Sequence, residues 1–405
     1  MAGLGQPAQM AFSGEATSAR RGETHVMSSA PTNGSILIVG GGVAGRAAAR
    51  ALSRRGIGCT VIERGESVGR GMGVNLPGNA VRALAELGVP HDGPAIGVPV
   101  RRREYRNGRG RLLFAVDEDR FWRDVGRPVC ARHGDLLDAL ALPESATLEF
   151  AHAVAARPTP AGVAVELAGA PSPRHVDFVI GADGVNSALR AAVAVDGPHP
   201  SSMSGSSWRF IGPDPGVDCW TAWSGREETF VLIPVGHGRV YGYAARTHGG
   251  NTGTDHSWLA QVAGRFPEPV GAAVAGALDG GELHHAPVAE VRLRRWHNGR
   301  LVLIGDAAHA TGPVWAQGVA MALEDALVLG ELLADTTAEC WADVGPAFER
   351  LRRPRVEHIQ AETERMSRLA ALPGWMREVG APVLGPKNYR AAYGPLRGVA
   401  IRPGA

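Results

Sequence analysis

Three short clusters of glycine and acid stand far apart in this chain, and each is of a type that can hold phosphates or sugar hydroxyls. They are Gly40-Gly41-Gly42-Val43-Ala44-Gly45 with Glu63 downstream, Gly181-Ala182-Asp183-Gly184, and Gly305-Asp306-Ala307-Ala308-His309. The first follows the apolar run Ser35 to Val39 and opens the Ala/Arg-rich stretch Val43 to Arg55, so it predicts strand, tight turn and helix. Gly40 permits the turn, Gly42 lets the backbone approach a pyrophosphate, and Gly45 lets helix and strand pack closely. Val43 and Ala44 then begin a helix whose free N–H groups and positive dipole end suit a phosphate. About twenty residues on, the run Cys59 to Ile62 ends in Glu63, placed to accept hydrogen bonds from an adenosine ribose, with Arg64 beside it. This predicts dinucleotide binding without separating NAD from FAD.

The other two clusters decide. In Asp177 to Arg190, and again in Arg300 to Asp306, an apolar strand ends in glycine and acid. With three such motifs in this order the chain resembles a class A flavoprotein aromatic hydroxylase, the family typified by para-hydroxybenzoate hydroxylase. Gly181 to Arg190 resembles the family's Asp-Gly motif and Gly305 to His309 its Gly-Asp motif. Trp296-His297-Asn298-Gly299-Arg300, Leu323-Glu324-Asp325-Ala326 and Leu76-Pro77-Gly78-Asn79-Ala80 match as well.

The resemblance implies an α/β fold: a Rossmann-like FAD-binding domain of the para-hydroxybenzoate hydroxylase type with an inserted β-sheet substrate domain and C-terminal helices. It places Asp306 on the ribityl hydroxyls, and Asp183 with Gly184 near the pyrophosphate and the nicotinamide path. The loop Thr311 to Gln317 then leads into a helix from Gly318, whose N–H groups would face the flavin N1 and C2 carbonyl, where negative charge gathers on reduction. Gly305, Pro313, Gln317 and Val319 join that cofactor set, and His309 reads as a structural histidine ordering the loop. Two departures stand out. Where the family usually has an arginine, His133 occupies the register and Arg132 sits one place earlier, so either Arg132 turns in to the cofactor or the contact is weakened. The loop Trp315-Ala316-Gln317-Gly318-Val319-Ala320 carries Ala316 and Ala320 where relatives often have glycine and asparagine.

The elements that must position these groups follow from pattern. Residues 35–98, 125–200 and 286–340 are read as the discontinuous FAD-binding domain, 99–124 and 201–285 as the substrate domain, 341–405 as a helical segment and tail, and 1–34 as a disordered extension, with Met27 an alternative start. A hairpin is expected at Arg101 to Val116 around Asn107-Gly108. Strands are expected at Ser207 to Ile211, Cys219 to Trp223, Glu228 to Pro234 and Arg239 to Arg246, in a mixed or antiparallel sheet. Period two puts Phe230 with Leu232, and Tyr241 with Tyr243, on common faces, while Trp220 and Trp223 point oppositely. Candidate pocket residues are therefore Trp220, Trp223, Phe230, Tyr241, Tyr243 and Trp315, with Arg209 as an anion partner; core packing or a solvated face is the plainer role for each. Helices are expected from Ala320 to Ala334 and from Ala347 to Leu372, the latter interrupted by Pro354, and the Pro/Gly-rich tail from Pro373 is left without one.

Composition narrows the class. A chain of 405 residues, 44% hydrophobic, can bury a core in each of two domains. A net charge of +2 predicts no bulk attraction to nucleic acid or membrane. The four cysteines, Cys59, Cys130, Cys219 and Cys340, lack metal spacing and read as reduced cytoplasmic thiols, with no metal expected. Lys387 is the only lysine among 42 basic residues, so a phosphate-binding loop ending in Gly-Lys and a Ser-x-x-Lys nucleophile are both absent. The flavin halogenases are disfavoured too, lacking their lysine and Trp-x-Trp-x-Ile-Pro signature here. The resemblance implies an FAD-dependent monooxygenase that consumes NADH or NADPH and inserts one atom of O2 into an aromatic or polycyclic small molecule through a C4a-hydroperoxyflavin. No side chain is assigned as catalytic. An epoxidase or Baeyer-Villiger oxygenase on the same fold, or a flavin-dependent reductase or dehydrogenase that does not use oxygen, are the alternatives.

Overall fold

Ile36–Val39 is apolar throughout and buried on both faces, so it can only sit inside a covered sheet. It lies within a six-stranded sheet ordered His297–Asn298, Leu301–Leu303, Phe178–Gly181, Ile36–Val39, Cys59–Glu63, Ala146–Phe150. All neighbours run parallel except the edge pair of His297–Asn298 with Leu301–Leu303. The register aligns Val39 with Gly181, and Gly181 with Leu303. Three motifs, each more than a hundred residues from the next, therefore leave the sheet side by side at its carboxyl edge, where ligands of open α/β sheets bind. The computed structural model describes residues 34–65, 72–89, 96–247 and 249–399, which fall within one compact unit, Thr32–Ala405. The expected N-terminal extension and Met27 lie outside the described residues, apart from Gly34, which packs against Trp341.

The helix Val43–Ser53 follows the first turn and packs against Gly318–Ala334, with Gly330 seated on Ala51. The second sheet has seven strands in the order Glu282–Pro287, Ser206–Pro213, Arg239–Arg246, Glu228–Gly236, Trp220–Ser224, Arg102–Asn107, Leu112–Asp117. It is antiparallel except where Trp220–Ser224 runs parallel to Arg102–Asn107, which makes it mixed. Helices His256–Ala263 and Val270–Leu278 cover one face around Trp208, Phe210, Trp223, Phe230 and Leu232.

Cross-strand pairing decides between the two faces and takes Trp223 and Phe230 out of the candidate pocket set. Residues directly opposite one another share a face, and Tyr243 lies opposite Val231 while Phe230 lies opposite Ala244 and Trp223. Phe230 and Trp223 are thus core residues beneath the two helices, and Tyr241 and Tyr243 stand on the other face. Period two fixed who travels together on one strand but not how two strands align.

The C-terminal region holds two further corrections. The helix Val344–Ala370 runs through Pro354 without interruption, and the tail forms another helix, Gly374–Tyr393, despite Pro382 and Pro386. Burial of Tyr389, Ala392 and Tyr393 anchors that helix to the body; tertiary packing here outweighs local propensity.

Candidate active site

A cavity of about 700 Å³ begins at the carboxyl edge of the parallel sheet and extends along the uncovered face of the large sheet. Its first end is built from backbone. Gly40 has φ +109°, and a Cβ there would meet the Ala182 carbonyl oxygen at 2.3 Å. Gly42 and Gly184 are different: a Cβ at either meets no neighbour within 4 Å, and both line the cavity, as do Val43 and Ala44. Glu63 accepts hydrogen bonds from the backbone N–H groups of Gly41 (2.7 Å) and Arg64 (2.8 Å), which fixes its carboxylate beside the glycine turn. The Arg64 side chain is exposed. Asp183 turns back on its own loop, accepting from the N–H groups of Ala188 and Leu189, and leaves Gly184 to face the cavity. Arg190 ties this loop to the third motif by donating to the carbonyls of Ala307 (3.0 Å) and Val185 (2.8 Å).

Asp306 projects its carboxyl into the cavity, and burial raises its pKa above the usual range against the pull of His309, Arg209 and Arg190. A Cβ on Gly318 would lie 3.7 Å from the Asp306 Oδ1, so the carboxyl stands at the start of the helix Gly318–Ala334. Residues Pro313 to Val319 line the cavity in front of it. Ala316 sits in the left-handed region at φ +51°, ψ 37°, the conformation that explains why a glycine suits this place.

A buried network holds that loop from behind. His309 Nε2 lies 2.7 Å from Asp325 Oδ2, which also accepts from the Gly305 N–H at 2.9 Å. Arg352 donates to Asp325 (2.8 Å) and Glu324 (2.9 Å), all three being buried. Burial alone would raise the Asp325 carboxyl, but His309 and Arg352 bring it down to about 2. Asn79 and Gln317 exchange reciprocal amide hydrogen bonds (3.0 and 3.2 Å), and Asn79 also donates to Glu324. His309 is therefore built into the scaffold, with its ring nitrogen committed to Asp325.

The second end is built from side chains. Tyr241, Tyr243, Trp220 and Arg209 line it, joined by Arg103, Tyr105 and Phe114 of the hairpin and by Met376, Leu384 and Tyr389 of the last helix. Burial raises both tyrosines, Tyr241 to about 12, so each keeps its proton at neutral pH. Arg103 is salt-bridged to Glu118 at 2.7 Å and lies over the Trp220 ring. It donates to the Tyr393 hydroxyl, which in turn donates to the Trp315 carbonyl at 2.7 Å. Hairpin, tail and loop are locked together through these contacts.

Of the residues predicted from sequence, Gly42, Val43, Ala44, Gly184, Asp306, Pro313, Gln317, Gly318, Val319, Arg209, Trp220, Tyr241, Tyr243 and Trp315 all line the cavity. Gly40 and Gly305 shape turns beside it, and Gly45 lets the following helix close on the first turn, since a Cβ there would collide with the Gly40 carbonyl oxygen. Trp223 and Phe230 do not reach it. Arg132, the exposed last residue of the strand Val129–Arg132, reaches Glu282 (3.5 Å), and it is His133 that stands at the cavity wall. Arg103 and Tyr105 carry no signal in the sequence because Arg102 to Asn107 is nearly all polar without apolar alternation, and Phe114 carries none because nothing in the apolar run Leu112 to Val116 marks which face meets a cavity.

Whether FAD fits can be judged from the walls. Asn75, Arg209, Thr311 and Trp315 line the cavity, and each carries a buried polar atom (Oδ1, Nε, Oγ1 and Nε1) without a hydrogen-bond partner, a demand that a polar ligand in the cavity would answer. Together with two helix N-termini and the carboxylates of Glu63 and Asp306, they suit a flavin dinucleotide. A family model described as an FAD binding domain matches residues 33–362. The chain belongs to the FAD-dependent aromatic hydroxylase family. Relatives include an aurachin C monooxygenase/isomerase of Stigmatella aurantiaca, 29% identical over 359 residues, spanning 84% of this chain and 90% of that one. A 3-amino-4-hydroxybenzoate 2-monooxygenase of Streptomyces cremeus is 32% identical over 363 residues, spanning 84% and 88%. Among solved structures, Klebsiella pneumoniae HpxO complexed with FAD and uric acid shares the fold at a TM-score of 0.74 and 24% identity, over 90% of this chain and 92% of that one. This hydroxylase is an FAD-dependent monooxygenase, with NAD(P)H the co-substrate typical of its family.

Proposed function

We propose that the enzyme inserts one oxygen atom of O2 into a planar aromatic or polycyclic substrate held between the loop Pro313 to Val319 and the tyrosine-bearing face of the large sheet. The observation that carries this reading is the continuity of one cavity from Asp306 and Gly318 to Tyr105, Trp220, Tyr241 and Tyr243. On this reading the parallel sheet serves FAD, and the large sheet with its hairpin serves the substrate. Gly42, Val43 and Ala44 hold the pyrophosphate, Glu63 the adenosine ribose and Asp306 the ribityl chain. The N–H groups at Gly318 and Val319 stabilise negative charge at the pyrimidine edge of the ring. FAD supplies, when bound, hydride acceptance from NAD(P)H and activation of dioxygen, with one oxygen atom entering the substrate and the other leaving as water.

The chain's own part is binding, orientation and water exclusion. Trp315 and Trp220 offer ring faces for stacking, worth about 0.5 to 1.5 kcal/mol beyond area burial. Tyr241 and Tyr243 remain neutral and act as hydrogen-bond donors. Arg209, adjacent to both, stabilises an ionised phenol, whose ring is the more electron-rich and so more readily attacked. The test is NAD(P)H oxidation by the flavin-loaded enzyme with aromatic and polycyclic phenols under isotopically labelled dioxygen. One labelled atom in the product is the expected result. No stimulation by any of these compounds, or stimulated oxidation that leaves no label in them, would overturn the proposed substrate class.

A further inference from the structure

Thirteen large hydrophobic side chains are exposed among the described residues, and six of them lie between 372 and 384: Leu372, Trp375, Met376, Val379, Val383 and Leu384. Trp375, Val379 and Val383 are the outermost, at 70%, 73% and 62% exposure, and their spacing of four residues places them in one row along the helix Gly374–Tyr393. None of these three lines the cavity, whereas Leu372, Met376 and Leu384 both line it and reach solvent. The apolar row therefore borders the place where the cavity opens. Such a concentration on one element is unusual for a surface that faces only water.

The charge around the row has one sign. Residues 366–393 carry Arg368, Arg377, Lys387 and Arg390 against the single acid Glu378, a net +3 in a chain whose total is +2. Glu378 is already engaged by Asn107 and Arg111, while Arg368, Lys387 and Arg390 are exposed and form no ion pair among the described residues. The whole-chain charge therefore hides a local cationic rim around an apolar strip. No described helix is long and apolar enough to cross a membrane, so a contact through this face would be interfacial.

We propose that the outer face of the helix Gly374–Tyr393 docks on an anionic lipid surface, with Trp375, Val379 and Val383 entering the headgroup boundary and Arg368, Lys387 and Arg390 meeting the phosphates. The cavity mouth is then held against the bilayer, where apolar compounds collect. This docking does not depend on which aromatic compound the enzyme oxidises.

The experiment uses the FAD-loaded full chain in flotation with vesicles of equal parts phosphatidylglycerol and phosphatidylcholine, and with phosphatidylcholine alone. Binding to the mixed vesicles, weakened by added salt and largely lost on neutral ones, is expected. Exchanging both Lys387 and Arg390 for Glu should weaken binding on the order of thirtyfold or more, at about tenfold or less per lost cation with repulsion added. The triple variant Trp375→Ser, Val379→Ser, Val383→Ser should abolish it while flavin content and unfolding temperature persist. Absence of binding to the mixed vesicles overturns the proposal. So does a wild-type chain that associates with itself through this face, shown by a mass that rises with concentration and falls to the monomer in the triple variant.

Discussion

The two ends of the cavity are made of different material. The cofactor end consists of backbone turns and helix starts, placed by the register of a parallel sheet. The substrate end consists of side chains gathered from a hairpin, a sheet face and a helix near residue 390. Backbone sites demand glycine and strand-turn-helix order, which any reader of the sequence can see. Side-chain sites depend on which residues face each other across strands, which spacing alone does not state.

The contrast can be broken most forcefully from behind the cofactor end. Arg352→Ala would leave buried Asp325 with His309 alone and buried Glu324 with Arg355 alone, at a cost of about 3 kcal/mol, read as a lower midpoint in denaturant unfolding. An unchanged midpoint would mean the network does not support the loop. The substrate end offers a matched pair. Trp223→Ala opens a hole under the covering helices and should cost about 3 kcal/mol or more with substrate affinity preserved, whereas Trp220→Ala borders existing space, should cost about 1 to 2 kcal/mol and should raise KM. Equal effects of the two would erase the distinction between the faces.

Acid titration gives the next largest effect. Asp325 is held at about 2, below its ordinary value near 3.8. A depressed carboxyl contributes stability that is complete above its unfolded pKa and is lost as pH falls through the folded one. Roughly 2 kcal/mol should therefore disappear between about pH 4 and pH 2, and Asp325→Asn should flatten that segment of the unfolding curve measured against pH.

At the cofactor end two neighbouring glycines should part company. Gly40→Ala meets backbone at Ala182 and should lower stability by about 1 to 3 kcal/mol. Gly42→Ala meets no protein atom and should leave unfolding unchanged while weakening FAD retention by about 1 kcal/mol, as measured by flavin titration of the apoprotein. The smallest effect is a gain. Ala316→Gly relieves a left-handed alanine and should raise stability by up to about 1 kcal/mol, with flavin content maintained.

Legibility in the sequence followed the same division. The parallel strands, the three motifs, the helix from Gly318 and the structural role of His309 could all be read because each has a local cause. Phe230 and Trp223 stay among the pocket candidates in the sequence because alternation along one strand does not say which of its two faces meets the cavity. Of the two readings for the position before His133, the one that turns Arg132 in to the cofactor gives way to its pairing with Glu282, and the helix Gly374–Tyr393 is hidden because its two prolines speak against it locally. Only the burial of Tyr389 and Tyr393 in the assembled body reverses that preference.

The hydrogen bond from Tyr393 to the Trp315 carbonyl, together with those from Arg355 to the carbonyls of Pro395 and Leu396, carries a consequence for biosynthesis. Translation delivers the loop long before it delivers the residues that pin it. A ribosome that has just finished all three glycine motifs has yet to deliver Arg352 and Tyr393, so the loop still lacks two of its ties. The nascent enzyme can form its nucleotide turn early, but it should become competent to retain flavin only after Tyr393 has emerged. A stalled ribosome presenting the chain to just beyond the third motif should therefore capture little cofactor.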